Sequence, residues 1–513
     1  MASSSPSARR SAPSRGGRTT SVEASTPAQR SAQEVADLVG RTSLHPPVAA
    51  TLAQGLRALV ADGRLPVGGR LPAERELAVA LGVSRVTVTS AYRRLRESGW
   101  ARSRTGSGTW TTLPDRSGVV AAFVPGSPRD GTVDLTYASP AGPPEVADAY
   151  AAALEALPQL LPGHGYAAGG LADLRARVAE RMTARGLPTT PEQVLVTTGA
   201  SAAVSGAIET VVRRGERVLV EHPTWPNAVD KLRGHGARVV PVPRDPAAPW
   251  GDGGFVRALD RAARETSPAM AYLVPDFANP TGAVLTPDER SRVVASLHQR
   301  GVLALADETL ADLALDAGDP TGRPPLASVG PAGAVLTAGS LSKSVWAGLR
   351  VGWLRAEPAL LAKVAAAASR QHGSLPVVDQ LAACVLLDGL DAGLPARLGR
   401  LREQRDALVD AVRARLPTWE VPRPPGGLSL WCRLPRGTSS SAVTEAAERH
   451  GLFLASGSRF GVSHEFDEHL RLPFTQPVPV LLDAVDRLVR AAADADSAWG
   501  APTTSSRTGA VLG

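Results

Sequence analysis

The sequence predicts an α/β protein in two parts: a small N-terminal module of helices and one hairpin, then a much larger domain whose helices cover a mostly parallel sheet. Three observations carry that reading. At 513 residues the chain exceeds one ordinary core. Its positive charge sits at one end, residues 1–116 balancing at +9 and the remainder at −2. From Asp134 onward, short β-rich runs alternate with longer helical patterns.

Composition narrows the class. An apolar share of 43% suits a globular chain, and no run of about 18 apolar residues is present to span a membrane. Cys384 and Cys432 lie far apart and match neither metal-ligand nor redox spacing, which fits a cytoplasmic protein without a disulfide framework. Residues 1–45 read as a disordered basic tail, because their Ser, Arg, Ala and Pro content does not offset ordering entropy. A transit peptide shares that bias, and the tail alone does not decide between them.

Residues 46–112 read as one module. Leu52, Leu56 and Leu59 mark a helix face between Val48 and Asp62, ended by Gly63. A second helix starts near Pro72 and runs through Glu74, Arg75 and Glu76 to Leu81, where Gly82 breaks it. Ser84 is a suitable N-cap for a third helix, Ser84–Glu97, whose buried stripe is Val88, Tyr92 and Leu95, leaving Arg85, Thr87, Thr89 and Ser90 outward. Two helices joined by a Gly-containing turn make a helix-turn-helix, with the second as recognition helix. Beyond Gly99, the run Trp100–Arg104 alternates, turns at Thr105, Gly106, Ser107 and Gly108, and resumes at Thr109 and Trp110, giving a hairpin wing with Arg102 and Arg104. A basic surface of this kind attracts phosphate backbones, although a solvated arginine face has the same composition.

Residues 113–132, rich in Pro, Gly, Ser and Val, read as a linker, and residues 133–495 as the second domain, followed by a disordered tail over 496–513. Candidate strands are Val194–Thr197, Arg217–Val220, Met270–Val274, Val302–Ala306 and Ala334–Thr337. Ligands of such sheets bind beyond the carboxyl ends of the strands. There stand Gly199, Ala200 and Ser201 opening a helix, a turn that suits a phosphate or is merely tight. There too are Trp225, with a ring to stack on a flat heterocycle or to pack in the core, Asn279 in Asn-Pro-Thr-Gly, and Asp307, a carboxylate that suits a protonated pyridine or a capping role.

Lysine scarcity is the sharpest signal. Only Lys231, Lys343 and Lys363 occur among 56 basic residues. Lys343, in Gly339-Ser340-Leu341-Ser342-Lys343, is an amine placed to form a Schiff base with an aldehyde, chemistry that arginine lacks. Arg350, seven residues on, offers a planar fork for phosphate.

Residues 46–112 resemble the winged helix-turn-helix of the GntR family, through Leu71–Ala78, Leu81-Gly82-Val83-Ser84-Arg85 and Gly106-Ser107-Gly108. The resemblance implies DNA contacts for Arg75, Arg85 and the wing. Residues 133–495 resemble fold-type I pyridoxal-phosphate enzymes of the class I and II aminotransferase group, with a large sheet domain and a smaller C-terminal α+β subdomain. What that implies is pyridoxal 5′-phosphate held by Lys343 at its aldehyde, Asp307 at the pyridine nitrogen, Asn279 at the 3′ oxygen and Trp225 at the ring face. Gly199, Ala200, Ser340 and Arg350 then take the phosphate, Tyr166 reaches a neighbouring subunit's phosphate, and Arg471, with Gly142 beside it, grips a substrate carboxylate. One departure stands out: Leu310 occupies the position, three after the aspartate, where the family usually has a tyrosine.

The order of the two modules resembles the MocR subfamily of bacterial regulators. That resemblance implies a homodimer that binds a double-stranded DNA operator and senses pyridoxal phosphate or an amino compound through a Schiff base at Lys343. The alternative is a working aminotransferase with an autoregulatory DNA-binding arm.

Overall fold

The computed structural model describes residues 30–39, 48–61, 64–97, 99–104, 108–112, 131–245, 253–316, 323–372, 375–463 and 465–500. The chain divides into two compact units, Met1–Val124 and Pro125–Gly513, and the division falls within the segment expected to be a linker, most of which lies outside the described residues.

The first unit contains α1 (Ala32–Val39), α2 (Val48–Ala61), α3 (Glu74–Leu81), α4 (Arg85–Glu97), β1 (Ala101–Arg104) and β2 (Gly108–Thr111). Leu52, Leu56 and Leu59 of α2 pack with Leu77 and Leu81 of α3 and with Val88, Tyr92 and Leu95 of α4. Gly82 (φ 69°) ends α3 in the left-handed region, and the Ser84 hydroxyl accepts from Thr87 N at 3.1 Å to cap α4. Tyr92 buries its ring and donates its hydroxyl to the Pro72 carbonyl at 2.8 Å, fixing α4 against the start of the α3 segment. The wing strands β1 and β2 pair antiparallel from Ala101↔Thr111 to Arg104↔Gly108.

Two expectations at the ends need correction. The segment 1–45 is not wholly a tail, because α1 lies within it and buries Val35 and Ala36 in the same core. Its start is fixed by Ser31 and Glu34, whose side chains each bond the other's backbone N–H, at 2.7 and 3.2 Å. At the other end helical structure continues to Gly500, past the expected limit of 495. The second helix of the module also begins at Glu74, two residues beyond Pro72.

In the second unit, β3 (Val133–Asp134), α5 (Glu145–Ala156) and α6 (Ala172–Ala184) precede an alternating run: β4 (Val194–Thr197), α7 (Ala200–Val211), β5 (Arg217–His222), α8 (Pro226–His235), β6 (Arg238–Pro243), α9 (Gly254–Thr266), β7 (Met270–Leu273), α10 (Pro287–His298), β8 (Leu303–Asp307), β9 (Val335–Ser340) and β10 (Gly352–Arg355). These strands form one seven-stranded sheet in the order β4-β10-β9-β8-β7-β5-β6, with β10 antiparallel to both neighbours. Side chains alternate between two cores: Val218, Val220, Met270 and Tyr272 face one, and Leu219, Ala271 and Leu273 face the other. Both faces of the central strands are buried, so β7 reads as a continuous apolar run, whereas the edge strand β6 is largely exposed.

Helices α11 (Pro358–His372), α12 (Val377–Asp388) and α13 (Leu390–Arg415) lead to the smaller subdomain, comprising β11 (Ser429–Arg433), α14 (Ser440–Arg449), β12 (Leu452–Phe453), β13 (Ala455–Ser456), β14 (His469–Pro473) and α15 (Val478–Gly500). There β14 lies between β11 and β13, antiparallel to each. The polar ends of the parallel strands therefore meet the subdomain that carries Arg471. Among the described residues no helix is long and apolar enough to cross a membrane.

Candidate functional site

Beyond the carboxyl ends of the strands lies a cavity of about 190 Å3. Its wall includes Gly199, Ala200, Trp225, Asn279, Asp307, Ser340, Lys343 and Arg350, so the structure brings together every cofactor residue expected from sequence except Tyr166. They arrive from the carboxyl ends of five strands, β4, β5, β7, β8 and β9, or from the segments that follow them, which is why residues up to 151 positions apart share one space.

Lys343 donates from Nζ to the Ala138 carbonyl at 2.8 Å. Burial pushes its amine down to about 8, aided by the positive charge of Arg471 and opposed by Asp307. At neutral pH the amine is still mostly protonated, but its unprotonated, nucleophilic form is far more abundant than for an ordinary lysine.

Asp307 is held from three sides. Its Oδ2 accepts from the Tyr272 hydroxyl at 2.8 Å, and its Oδ1 accepts from Thr309 N at 3.2 Å and Thr309 Oγ1 at 2.7 Å. Burial and the Asp307 charge raise the Tyr272 hydroxyl well above its usual range, so it remains a donor. No cation pairs with this carboxylate among the described residues.

The opposite end is shaped for an anion. Gly199, at φ 89°, opens α7, and a Cβ on Gly352 would stand 2.6 Å from Ala200 N, so β10 closes on that turn only through glycine. Arg350 (φ 53°) donates from Nη2 to the Thr198 carbonyl at 2.8 Å. The Ser340 hydroxyl accepts from Ser342 N at 2.8 Å, which leaves its own proton free to donate. Trp225 caps α8 with its indole on the wall.

Arg471 lies beside this space. It is 6% exposed, donates from Nη2 to the Thr136 carbonyl and from Nη1 to Asn279 Oδ1 at 3.4 Å, and stacks 4.9 Å from the Phe460 ring centre. Its buried Nε has no partner, and no carboxylate pairs with it among the described residues. Burial, then the nearby charge of Arg459, pushes its guanidinium down to about 10, with the Asp134 carboxylate acting the other way. A buried cation with no carboxylate in direct contact is an expensive arrangement unless a ligand supplies one.

The remaining expected residues fall elsewhere. Gly142 is not on the cavity wall; a Cβ there would meet the Trp346 ring at 3.1 Å. Tyr166 is 73% exposed and contributes nothing to its own chain's cavity. In the first unit Arg75, Ser84, Arg85, Thr89 and Arg102 are exposed and Thr87 is half-buried. Arg85 and Thr89 are tied to Glu74, whose Oε2 is 3.7 Å from Arg85 Nε and accepts from Thr89 Oγ1 at 2.7 Å. Arg104 lies on β1, and Gly106 falls outside the described residues.

Sequence reasoning missed Tyr272, Thr309 and the Ala138 carbonyl. A polar ring within the apolar strand Met270–Leu273 was the available signal for Tyr272, because Tyr272 and Val274, two apart, both line the cavity. Leu310 is on the wall, where it presents no hydroxyl.

Residues 144–488 match the family described as aminotransferase class I and II, and residues 48–110 match the bacterial regulatory proteins of the gntR family. The chain belongs to the class I and II aminotransferase family, joined to a gntR-family module. That pairing makes it a transcription regulator of the MocR type. It is 28% identical over 445 residues to the probable rhizopine catabolism regulatory protein MocR of Rhizobium meliloti, covering 80% of this chain and 87% of that one. It is 25% identical over 455 residues to the HTH-type transcriptional regulator YdcR of Escherichia coli, covering 82% and 93%. Among solved structures, the α-aminoadipate aminotransferase LysN of Thermus thermophilus, complexed with N-(5′-phosphopyridoxyl)-L-leucine, superposes with a TM-score of 0.62 at 26% identity, covering 72% of this regulator and 94% of that chain.

Proposed function

We propose that this MocR-type regulator holds pyridoxal 5′-phosphate in the cavity and reports an amine or amino acid effector to a double-stranded DNA operator. The observation that carries the reading is the gathering of an amine, an uncoupled carboxylate, an indole and an anion cradle on one wall. Bound there, the cofactor supplies an electrophilic aldehyde carbon that exchanges one primary amine for another.

The chain's own residues divide the work. Lys343 holds the aldehyde end and, at about 8, releases its proton at a lower pH than an ordinary lysine does. Asp307, fixed by Tyr272 and Thr309, keeps acceptor capacity for a pyridine N–H. Arg350, Ser340 and the opening turn of α7 take the phosphate. Asn279 has its Oδ1 engaged by Arg471, which leaves Nδ2 to donate to the 3′ oxygen. The carboxylate of an amino acid effector gives Arg471 the anion it lacks, and that differential contact shifts the population of DNA-binding arrangements. Arg75, Arg85 and the wing engage the duplex from the first unit, with Ser84, Thr87 and Thr89 on the same recognition helix or its cap.

A homodimer accompanies this reading. Leu154 of α5, Leu161, Tyr166 and Val385 of α12 are large apolar or aromatic side chains left exposed, and α5 and α12 are joined by the Tyr150–Asp379 bond at 2.5 Å. A symmetric pair presents two reading helices to paired half-sites.

The test is an absorbance spectrum of the full chain with pyridoxal phosphate, before and after borohydride, beside Lys343→Ala. Duplexes are selected from a random pool with the same protein, and their binding is titrated with amino acids. A Lys343-dependent band fixed by borohydride, with effector-sensitive DNA binding, is expected. No such band, or DNA binding indifferent to every amine and to the cofactor, rejects it.

A further inference from the structure

A second cavity, about 350 Å3, lies between the later turns of α7 and α8. Its wall brings together Lys231, Arg214, Glu209, Ser205 and His235. Lys231 donates from Nζ to Ser205 Oγ at 2.8 Å and is half-buried, and His235 Nε2 lies 2.6 Å from the Val212 carbonyl. Arg214 runs past Gly236, its guanidinium carbon 3.4 Å from where a Cβ would stand.

Chemically this wall repeats the cofactor cavity: an amine, a guanidinium, a carboxylate and a hydroxyl, as in Lys343, Arg350, Asp307 and Ser340. The amine is the informative member, because only three of the chain's 56 basic residues are lysines and a second one opens into a cavity. Burial lowers the Lys231 amine, with Glu209 acting the other way.

We propose that the Lys231 cavity is a second binding site, for a phosphorylated aldehyde of the pyridoxal phosphate class. The unprotonated Lys231 amine adds to the aldehyde carbon; a C=N bond forms, and the aldehyde oxygen leaves as water with both amine protons. Arg214 takes the phosphate, and Glu209 provides a carboxylate for a ring N–H. The site bears on the first because its walls are the same two helices. Gly199 and Ala200 open α7 at the cofactor phosphate, Trp225 caps α8 at the cofactor ring, and Ser205, Glu209 and Lys231 lie farther along them. An occupant joining Lys231 of α8 to Arg214, in the turn that leaves α7, ties α8 to the end of α7, so cofactor abundance is registered away from Lys343.

The inference rests on pyridoxal phosphate being this regulator's ligand, and the chain carries its own control in Lys363, an exposed lysine on α11. Full-length protein is exposed to graded pyridoxal phosphate, reduced with borohydride and digested, and the occupancy of each lysine is measured by mass spectrometry. Lys343 labels first, then Lys231 at a concentration about tenfold below that for Lys363, the scale of one charge-assisted phosphate contact. Arg214→Ala raises the concentration for Lys231 without moving that for Lys343, and pyridoxal, which lacks the phosphate, labels Lys231 no better than Lys363. Equal labelling of Lys231 and Lys363, or indifference to Arg214→Ala, overturns the second site. Failure to label Lys343 removes the cofactor reading itself, whatever Lys231 does.

Discussion

The Arg290–Asp276 and Arg85–Glu74 pairs join the same functional groups at opposite extremes. In the large unit Arg290 and Asp276 meet at 2.6 Å with both side chains fully buried. In the small unit Arg85 and Glu74 stand 3.7 Å apart, with the arginine side chain 71% exposed. Arg290 also donates to the carbonyls of Leu285, Pro324 and Pro275, so it fastens the segment leading to Asn279 to its surroundings. Arg85 has no such set, and its guanidinium faces solvent, available to a partner. Arg471 belongs to neither class: buried like Arg290, yet without a carboxylate, as a receptor for an incoming anion would be.

The largest effect should come from the buried pair. Asp276→Ala leaves Arg290 an uncompensated charge, with Arg323 also deprived of its contact at 3.3 Å. The expected loss of stability is about 3–5 kcal/mol, measured by urea denaturation of the full chain. A change below about 1 kcal/mol would place Arg290–Asp276 with the surface pairs and end the contrast.

Arg471 comes next. Arg471→Met should weaken the response to an amino acid effector by about 2–5 kcal/mol while leaving the Lys343-dependent band in place. The readout is a titration of the holoprotein at two ionic strengths. A desolvated contact changes little with salt, whereas a strongly salt-dependent response would assign the carboxylate to an exposed cation instead.

What was legible in the sequence follows from the same physics. Strand ends announced themselves because each buried run stops at residues with little reason to be polar or small except the cavity: Gly199, Asn279, Asp307 and Ser340. Lys343 stood out because this chain otherwise uses arginine for its cations. Hidden features arise from contacts between distant segments. Tyr272 lies within a strand and gains its role only from Asp307, 35 positions away. The helix α1 buries only Val35 and Ala36, too few for a periodic signal, although the Ser31 and Glu34 spacing was its visible cap. Gly142 was placed at the cavity by resemblance, but the structure sets it against Trp346.

Lys343 sharpens the comparison through pH. Folding lowers its amine from the ordinary value of 10.5 to about 8. Between those values the unfolded chain binds the additional proton, so stability of the cofactor-free protein rises with pH across that window; below 8 the folded state carries a poorly solvated cation. Lys343→Met should therefore be more stable than the parent at pH 7, by a margin that shrinks steadily toward pH 10. Denaturation of both proteins without cofactor at pH 7, 8.5 and 9.5 measures it. A constant margin would trace the gain to packing, not charge.

The smallest expected effect on folding belongs to Glu74, and it separates structure from recognition in the small unit. An exposed pair at 3.7 Å contributes about 0–1 kcal/mol, so Glu74→Gln should leave stability almost unchanged while freeing Arg85 and altering its aim. Arg85→Ala removes the guanidinium itself and should weaken binding to a selected duplex by about 1–3 kcal/mol if it reads a guanine edge, with relaxed sequence preference. Glu74→Gln differs in kind. It removes one negative charge from the face proposed to meet phosphates, so affinity for non-specific duplex should rise while the preference for the selected duplex falls. Both variants are compared by competition between selected and random duplexes over a range of salt. If Glu74→Gln raised the affinity for the two duplexes equally, Glu74 would act only through charge, and the Arg85–Glu74 contact would have no part in reading sequence.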